Sequence, residues 1–425
     1  MIEKVSLFAN KRDFFHFLLL SFTIFSLSIS LEFYNYKELT KFDSQLVNAN
    51  VLKQYTKTKL TKTGKTKTYQ VLKLKSEDGF TFYSTASKKL SNIQYKNIQL
   101  EAWAGDISFS EYMRGFFCFS KILHVYEDDS YKTELNNFIN SQHQDKSISH
   151  LYQALFTAKQ LPRELQTLFS NLGVSHLIAI SGFHLGVLSA VLFFLFKFPY
   201  TFLQNRYFPY RSSKIDSFIF ISIVLLLYLL FLDSPPSLLR AFVMLLIGFI
   251  LYDRGIKVIS MQTLLLTVIL ILAFFPRLFF SIGLWLSVSG VFYIFLFLIY
   301  FKHRSKIWQF IVLPFWVYFL MLPFSLVIFG NFTLVHPLSI IWTSLFTLFY
   351  PIAIFLHLIN FGDLLDPLLS SFMTLSTESM KIELDIRLLV AQALLSLMSI
   401  YKKKFVVLLL LYSLSFFIYA VYYVT

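Results

Sequence analysis

The sequence predicts a polytopic α-helical membrane protein with a small β-rich domain outside the membrane near its N-terminus. Of its 425 residues, 56% are hydrophobic, 19% are aromatic and only 15% are charged, and the mean hydropathy is +0.61. An average soluble domain is about 45–50% apolar and about 25% charged. A polar stretch at 32–150 precedes apolar runs that dominate from residue 172 onward. This pattern excludes a disordered chain and an ordinary cytosolic enzyme.

The first segment, residues 1–31, is expected to form a cytoplasmic N-terminus and the first transmembrane helix. Lys4, Lys11 and Arg12 precede an apolar run at 14–31, and about 20 residues suffice to cross the hydrocarbon core. A cleavable signal peptide is the alternative. It is disfavoured because the sequence after the run lacks a small-x-small cleavage site.

The second segment, residues 32–150, is expected to be an external domain with a β core at about 40–110. Runs at 69–74 and 80–85 are rich in strand-forming residues and flank an Asp-Gly turn, which predicts a hairpin. Further strand-like runs occur near 46–56 and 94–103. Several short strands in a small domain predict a barrel or a sandwich.

This external domain is strongly basic. Residues 41–100 contain twelve lysines against three acidic residues, a balance of +9, and aromatic residues are interleaved with them. Basic charge follows phosphates and aromatic rings stack on bases, so the pattern indicates a nucleic-acid surface. An ordinary solvated face and an affinity for anionic lipid headgroups are the alternatives. The candidate DNA-binding residues are Lys57, Lys59, Lys62, Lys65, Lys67 and Tyr69.

The third segment, residues 151–425, is expected to be a multi-span domain. The predicted spans lie near 174–196, 215–232, 237–252, 258–275, 279–301, 307–329, 333–358, 386–400 and 404–424. Basic clusters follow alternate spans, which satisfies the positive-inside rule up to residue 333. A cytoplasmic location for Lys402–Lys404 then requires that 333–358 is re-entrant or broken at Pro351, or that 364–385 adds a span. The mixed composition of 364–385 also suits an amphipathic interfacial helix.

Polar residues enter the first of these later spans. The run from Gly173 to Gly186 carries two histidines, two serines and three glycines in an apolar context. Such groups are costly at membrane depth and face a cavity or another helix. Ser181 and His184 are three residues apart, so they are expected to share a helix face.

Three later segments also combine polar or small residues with apolar spans. Arg240 follows a Pro-Pro-Ser helix start; it either lines a polar path or snorkels to the interface with Asp233 as partner. Gly283, Ser287 and Gly290 share one face of a helix, which favours close helix packing. A polar turn from Gly330 to Pro337 contains Asn331 and precedes another span.

The order of these motifs resembles that of the ComEC family of bacterial competence proteins. Gly-x-Ser-His-Leu-x-Ala-Ile-Ser-Gly-x-His is its most specific part, and Pro-Ser-x-x-Arg-Ala follows it. The residues that carry the resemblance are Ser175, His176, Leu177, Ala179, Ile180, Ser181, Gly182, His184, Pro236, Ser237, Arg240, Ala241, Pro276, Gly283, Leu286, Ser287, Pro323, Asn331 and Pro337.

The resemblance implies a multi-pass channel in the cell inner membrane that carries single-stranded DNA during natural transformation, with an OB-fold-like external domain. The family motifs then mark candidate pore residues: His176, Ser181, Gly182, His184, Arg240, Ser287 and Asn331. Its expected partners are single-stranded DNA, membrane lipid, a periplasmic DNA receptor, a cytoplasmic helicase or translocase, and further copies of the chain. Many family members carry a C-terminal metallo-β-lactamase-like domain, whereas this chain ends at Thr425 after its last predicted span, as expected of a short form.

No enzymatic activity, cofactor or metal is expected. The sequence has no Walker A motif, its nine histidines form no ligand cluster, and its single cysteine, Cys118, excludes a thiolate zinc site. An intramembrane serine protease is one alternative, because Ala179 to Gly182 is similar to the Gly-x-Ser-Gly of rhomboid proteases, but only His336 and His357 are late histidine candidates. A small-solute secondary transporter is the other, and it predicts internal repeats that the sequence does not show.

Overall fold

The computed structural model describes residues 10–60, 66–77, 79–126, 131–253, 255 and 259–424. It confirms the predicted fold class: a small β domain near the N-terminus is followed by a mostly helical body. Within these residues, seven helices are long and apolar enough to cross a membrane. Each contains a long apolar stretch with at most two charged residues, and a helix satisfies its backbone hydrogen bonds internally, as a spanning segment in lipid must.

The strands of the β domain lie between residues 44 and 125. They are β1 (Ser44–Leu60), β2 (Thr66–Ser76), β3 (Thr81–Ala86), β4 (Asn97–Trp103), β5 (Phe116–Phe117) and β6 (Phe119–Val125). The predicted hairpin is present: β2 pairs with β3 in an antiparallel register, and Gly79 takes a positive φ of 89° in the turn. The sheet extends beyond the expected core at 40–110, because β5 and β6 complete it.

This sheet closes on itself. Its strand order is β5-β3-β2-β1-β4-β6, and β5 and β6 are separated in sequence only by Cys118. The Cys118 N–H donates to the Tyr83 carbonyl (3.0 Å), and the hydroxyls of Ser84 and Ser120 lie 2.6 Å apart. The segment that pairs with β4 at one edge therefore meets β3 at the other, and the result is a small barrel.

Apolar side chains fill the barrel. Leu72, Leu74 and Phe82 point inward and are at most 1% exposed, in the alternating pattern expected for strands with one buried face. Aromatic side chains from the end of the first helix close one end of the barrel, where Tyr36 packs on Tyr112 with ring centroids 5.6 Å apart. The first helix therefore contributes to the core of the β domain as well as being long and apolar enough to cross a membrane.

The helices that form the rest of the chain follow in order. They are α1 (Lys11–Leu39), α2 (Phe109–Arg114), α3 (Tyr131–Ser141), α4 (Lys146–Thr157), α5 (Arg163–Asn171), α6 (Ser175–Ile178), α7 (Gly182–Tyr207), α8 (Ser213–Phe231), α9 (Pro236–Asp253), α10 (Met261–Phe274), α11 (Ile282–Tyr300), α12 (Lys306–Phe329), α13 (Ser339–Leu358), α14 (Asp366–Met373), α15 (Arg387–Ser399) and α16 (Lys403–Val424). Strands β7 (Asn331–Phe332) and β8 (Met380–Lys381) form a second, two-stranded sheet.

The predicted span at 174–196 is wrong in its first part. Instead of one helix, the short helix α6 ends at Ile178, and α7 begins at Gly182 and continues to Tyr207. The break occurs because Ser181 takes an extended conformation (φ −136°) and caps α7. His176 and His184 therefore lie on two different helices.

Helix α13 lies between the two strands of the second sheet. Strand β7, just before it, pairs with β8, which follows α14, so the chain leaves and returns to the same place. Near its start His336 contacts Ser170, and near its end His357 contacts His143; both partners belong to the 131–178 segment. Of the predicted alternatives for 333–385, a break at Pro351 is wrong, because Pro351 lies inside α13, which continues to Leu358.

Candidate functional site

The loop that joins α5 to α7 forms the centre of the site, and the segment before α13 packs on it. Gly173 has a positive φ of 71°, and a Cβ there would lie 3.0 Å from the His336 ring. Only glycine permits both this backbone conformation and this approach. The Asn331 side-chain amide donates to the Ser170 hydroxyl (3.2 Å), and the Thr333 hydroxyl donates to the Asn171 carbonyl (2.7 Å). Two of the four sequence motifs therefore meet here.

The start of α7 is held by a capping box in which a histidine replaces the usual glutamate. The Ser181 hydroxyl accepts a hydrogen bond from the Phe183 N–H, and the Ser181 N–H donates to His184 Nδ1 (3.2 Å). Because His184 Nδ1 accepts, the ring proton belongs on Nε2. His184 is fully buried, and its Nε2 has no hydrogen-bond partner in the described part of the chain. Ser181 and His184 are close together, as predicted, but they are joined by the capping box and do not lie on one face of a continuous helix.

Helix α9 crosses the start of α7 at very short range. A Cβ on Gly182 would lie 2.9 Å from the Cβ of Ala241, closer than two methyl groups can approach. The Ser237 hydroxyl donates to the Ile180 carbonyl (2.8 Å), so the first turn of α9 is also fixed to the loop before α7. The segment that contains Ser237 and Arg240 is therefore packed against the run from Gly173 to Gly186.

Arg240 lies one turn into α9 and is only 4% exposed. Its Nη1 lies 3.6 Å from the position of a Cβ on Gly283, at the N-terminus of α11, whose first turn is capped by Ser281. Its Nε and Nη1 are buried without a hydrogen-bond partner among the described residues. The predicted pairing with Asp233 is wrong, because Asp233 is paired with Lys132. The segment that contains Gly283 thus joins the other three motifs through Arg240.

The ion pair between Lys132 and Asp233 connects the segment that follows the β domain to this centre. Lys132 is 6% exposed, and its ammonium also lies 5.2 Å from the Tyr95 ring and 5.7 Å from the Phe231 ring. Asp233 and Ser234 both have positive φ, 60° and 52°, directly before α9. Such strain in residues other than glycine persists only where the surroundings enforce it. Lys132 supplies that constraint, and no local sequence pattern predicts the pair.

A second connection joins α1, the β domain and the segment before α11. Arg277 forms an ion pair with Glu32 (2.6 Å) and lies over the Tyr112 ring, 4.3 Å from its centroid. The Tyr112 hydroxyl also reaches Glu32 (3.4 Å). Arg277 lies just before α11, and the sequence gives no signal for these partners.

A histidine pair holds α13 against the 131–157 segment. His143 Nδ1 bonds both carboxylate oxygens of Asp366 (3.0 Å), and His143 Nε2 lies 3.0 Å from His357 Nε2. His357 Nδ1 is bonded to the Ala353 carbonyl (2.7 Å) and so carries a proton. All these bonds are satisfied together when His143 carries both ring protons. The cluster is structural in this geometry, and within the described residues no group of three potential ligands could hold a metal ion.

The remaining predicted pore residues are peripheral. His176 is exposed, and its Nε2 lies 3.2 Å from the Thr343 hydroxyl on α13. Ser287 is half-buried on α11, one helical turn below Gly283.

The outer face of the barrel carries a broad groove of about 1460 Å³. Aromatic and basic side chains contribute to its lining: Tyr55, Lys57, Tyr69, Tyr83, Lys88, Lys89, Phe117 and Phe119. Phe117 and Phe119 are 47% and 70% exposed, and such exposure of apolar rings is typical of a binding surface. This face contains Lys57 and Tyr69 from the predicted set.

Lysines alternate with tyrosines across the strands of this face. Lys57 lies opposite Tyr69, and Lys73 lies opposite both Tyr83 and Lys53. Partial burial, and then the nearby charge of Lys53, lower the pKa of the Lys73 ammonium below its ordinary value. Lys59 and Lys67 also oppose one another, although their side chains, like Lys62 and Lys65 as a whole, are outside the described residues. Lys53 and Lys73 face one another with no ion-pair partner among the described residues, and such a pair favours an anionic ligand.

The comparisons with known proteins agree with the motif order. The Competence protein family matches residues 156–425, the part of the chain that contains all four motifs. No curated protein and no solved structure matches the chain. With seven apolar helices of spanning length, this is a membrane protein. The chain belongs to the Competence protein family, that of ComEC.

Proposed function

We propose that this protein carries single-stranded DNA across the bacterial inner membrane during natural transformation and that it acts as the channel. Membership of the Competence protein family supports a role in DNA uptake. The observation that carries the finer proposal is the groove of tyrosines, phenylalanines and lysines on the barrel. Stacking rings and basic groups that follow the backbone are the features by which proteins hold single strands.

The barrel supports this proposal by its topology. With β5 and β6 taken as one strand, its order is 1-2-3-5-4, and β3 and β5 run parallel. This is the order of an OB-fold, whose second and third strands form the usual face for oligonucleotides. Tyr69 and Tyr83 lie on β2 and β3 and line the groove. The groove thus lies on the face of the barrel where single-stranded DNA is expected to bind.

The route from the groove to the membrane passes the point where the motifs meet. Lys132 and Arg277 fix the external part of the chain to the segments that begin α9 and α11. In this proposal the barrel and the 131–178 segment lie in the periplasm, and the basic residues at 302–306 and 402–404 lie in the cytoplasm. The protein performs no chemistry, and a separate competence protein makes the DNA single-stranded.

The test is a transformation assay in a strain that lacks the protein and is complemented with variants. Tyr69→Ala/Tyr83→Ala removes two stacking rings, each worth about 1–3 kcal/mol per base, and should greatly reduce the entry of labelled DNA into the cytoplasm. Tyr131→Ala is the matched control, because Tyr131 is 83% exposed but does not line the groove. Equal entry with both variants, at equal protein level, would contradict the proposal. A small-solute transporter predicts normal DNA entry even in the deletion strain.

A further inference from the structure

Arg240 is a buried cation that has no ion-pair partner among the described residues. It is 4% exposed, and its Nε and Nη1 have no hydrogen-bond partner in the described part of the chain. The acidic residue nearest in sequence, Asp233, is occupied by Lys132. A charge taken out of water without a partner is strongly unfavourable, so natural proteins retain one where a ligand completes it.

The surroundings of Arg240 favour a bound anionic ligand as its partner, rather than a carboxylate side chain of the protein. Its Nη1 lies beside Gly283, in the first turn of α11. The Leu284 N–H is already bonded to Ser281, whereas the N–H groups of Ile282 and Gly283 precede the first helical acceptor and have no partner within the helix. The positive end of the helix dipole and the guanidinium act on the same point. The absence of a side chain at Gly283 leaves space next to the guanidinium, since an added Cβ would meet Nη1 only at 3.6 Å.

We propose that Arg240 and the N-terminus of α11 form a phosphate seat, and that its occupant is a phosphodiester of the translocating single strand. This inference rests on the proposed function and adds a specific site to it. The planar guanidinium donates to two phosphate oxygens at once, and the N–H groups of Ile282 and Gly283 donate to a third. A single seat of this kind orients the strand at the junction of the four motifs without holding it at many points.

Thermal unfolding of the full-length protein in a phosphate-free maltoside detergent tests the seat. Inorganic phosphate should raise the Tm of the wild type by about 3 °C at a hundredfold excess over its Kd, relative to chloride of equal ionic strength. In Arg240→Gln this rise should vanish, while the Tm without phosphate should stay the same or increase, because an unpaired buried charge is removed. Arg277→Gln is the matched control and should keep the rise, since Arg277 already has Glu32 as partner.

A second variant separates the seat from the fold. Gly283→Ala leaves Arg240 in place and favours the helix, but its methyl group occupies the space beside Nη1. It should also abolish the phosphate response. A response that remains in Arg240→Gln or in Gly283→Ala overturns the seat. A response that disappears when phosphatidylglycerol is added to the wild type assigns the seat to a lipid headgroup and overturns its assignment to DNA.

The same variants distinguish failure of the seat from failure of the proposed function. In cells, Arg240→Gln should lower cytoplasmic DNA entry by about tenfold, as expected for one charge-assisted contact, with periplasmic uptake unchanged. Arg240→Lys should not restore it, because an ammonium is not bidentate. Normal entry in Arg240→Gln combined with loss of entry in Tyr69→Ala/Tyr83→Ala would refute the seat alone. Normal entry in the deletion strain would refute the proposed function itself.

Discussion

The ion pair between Lys132 and Asp233 should be worth more than an ordinary surface pair, and a double-mutant cycle can measure it. Removing one partner of a fully buried pair costs about 3–5 kcal/mol, whereas exposed pairs contribute about 0.2–1 kcal/mol. The Lys132 side chain is 8% exposed and that of Asp233 35% exposed, so this pair lies between the two cases. We therefore expect a coupling energy of about 2 kcal/mol.

The cycle uses Lys132→Met, Asp233→Asn and the double variant. Lys132→Met should cost about 1 kcal/mol in addition, because the ammonium also loses its contacts with the Tyr95 and Phe231 rings. The measured quantity is the free energy of unfolding of the full-length protein in mixed detergent micelles. The pair of Arg211 and Asp216 is the control: the Arg211 side chain is 53% exposed, so its cycle should give less than about 1 kcal/mol. A coupling energy for Lys132 and Asp233 no larger than that of the control would refute the reasoning.

Four further predictions follow from the same contacts. Gly182→Ala should separate α7 from α9 and cost about 1–3 kcal/mol of stability, because its Cβ would lie 2.9 Å from that of Ala241. Gly186→Ala is the control: its Cβ would meet nothing within 4 Å, so it should not lower the free energy of unfolding in the same assay. Ser181→Ala should lose only the helix cap, which lowers stability by about 1 kcal/mol, and should retain most transformation. Complete loss of transformation in a folded, inserted protein would instead point to a catalytic role for Ser181. In the proposed complex with DNA a phosphate contacts the charged form of Lys73, so the affinity of the protein for oligothymidylate should fall as pH rises through the lowered pKa of Lys73, at lower pH than for an ordinary lysine. Lys73→Arg should remove this early fall, and an unchanged profile would argue against a phosphate contact. In a Cys118→Ala background, a cysteine at position 57 should react with an external thiol reagent and one at position 304 should not; the reverse result would invert the topology.

The fold class was predictable because it depends on composition and on local patterns. A chain that is 56% hydrophobic with long uncharged runs forms membrane helices, and strand-forming runs around an Asp-Gly turn form a hairpin. Strands β5 and β6 escaped prediction because β5 has only two residues and β6 follows it directly after Cys118, so that only the closure of the barrel defines them. The start of α7 was placed too early because apolar residues continue through α6, while the backbone break depends on the cap by Ser181.

The site was predictable only in part, for a similar reason. The motifs identified Gly182, Arg240 and Gly283, but spacing along the chain does not reveal that these segments meet. After α13 and α14 the chain returns to β7, and this return depends on the pairing of β7 with β8, which are about fifty residues apart in sequence. The partners of Lys132 and Arg277 are more than a hundred residues away, so no helical or strand periodicity could indicate them.

The central claim is that DNA enters the cytoplasm through this protein, and one measurement addresses it directly. Labelled donor DNA is given to competent cells of a deletion strain, with and without the restored wild-type protein, and nuclease-protected label is counted separately in the periplasm and in the cytoplasm. The account predicts that without the protein the label accumulates in the periplasm and does not enter the cytoplasm, and that restoration returns single-stranded label to the cytoplasm. Cytoplasmic label at the same level in both strains would contradict it.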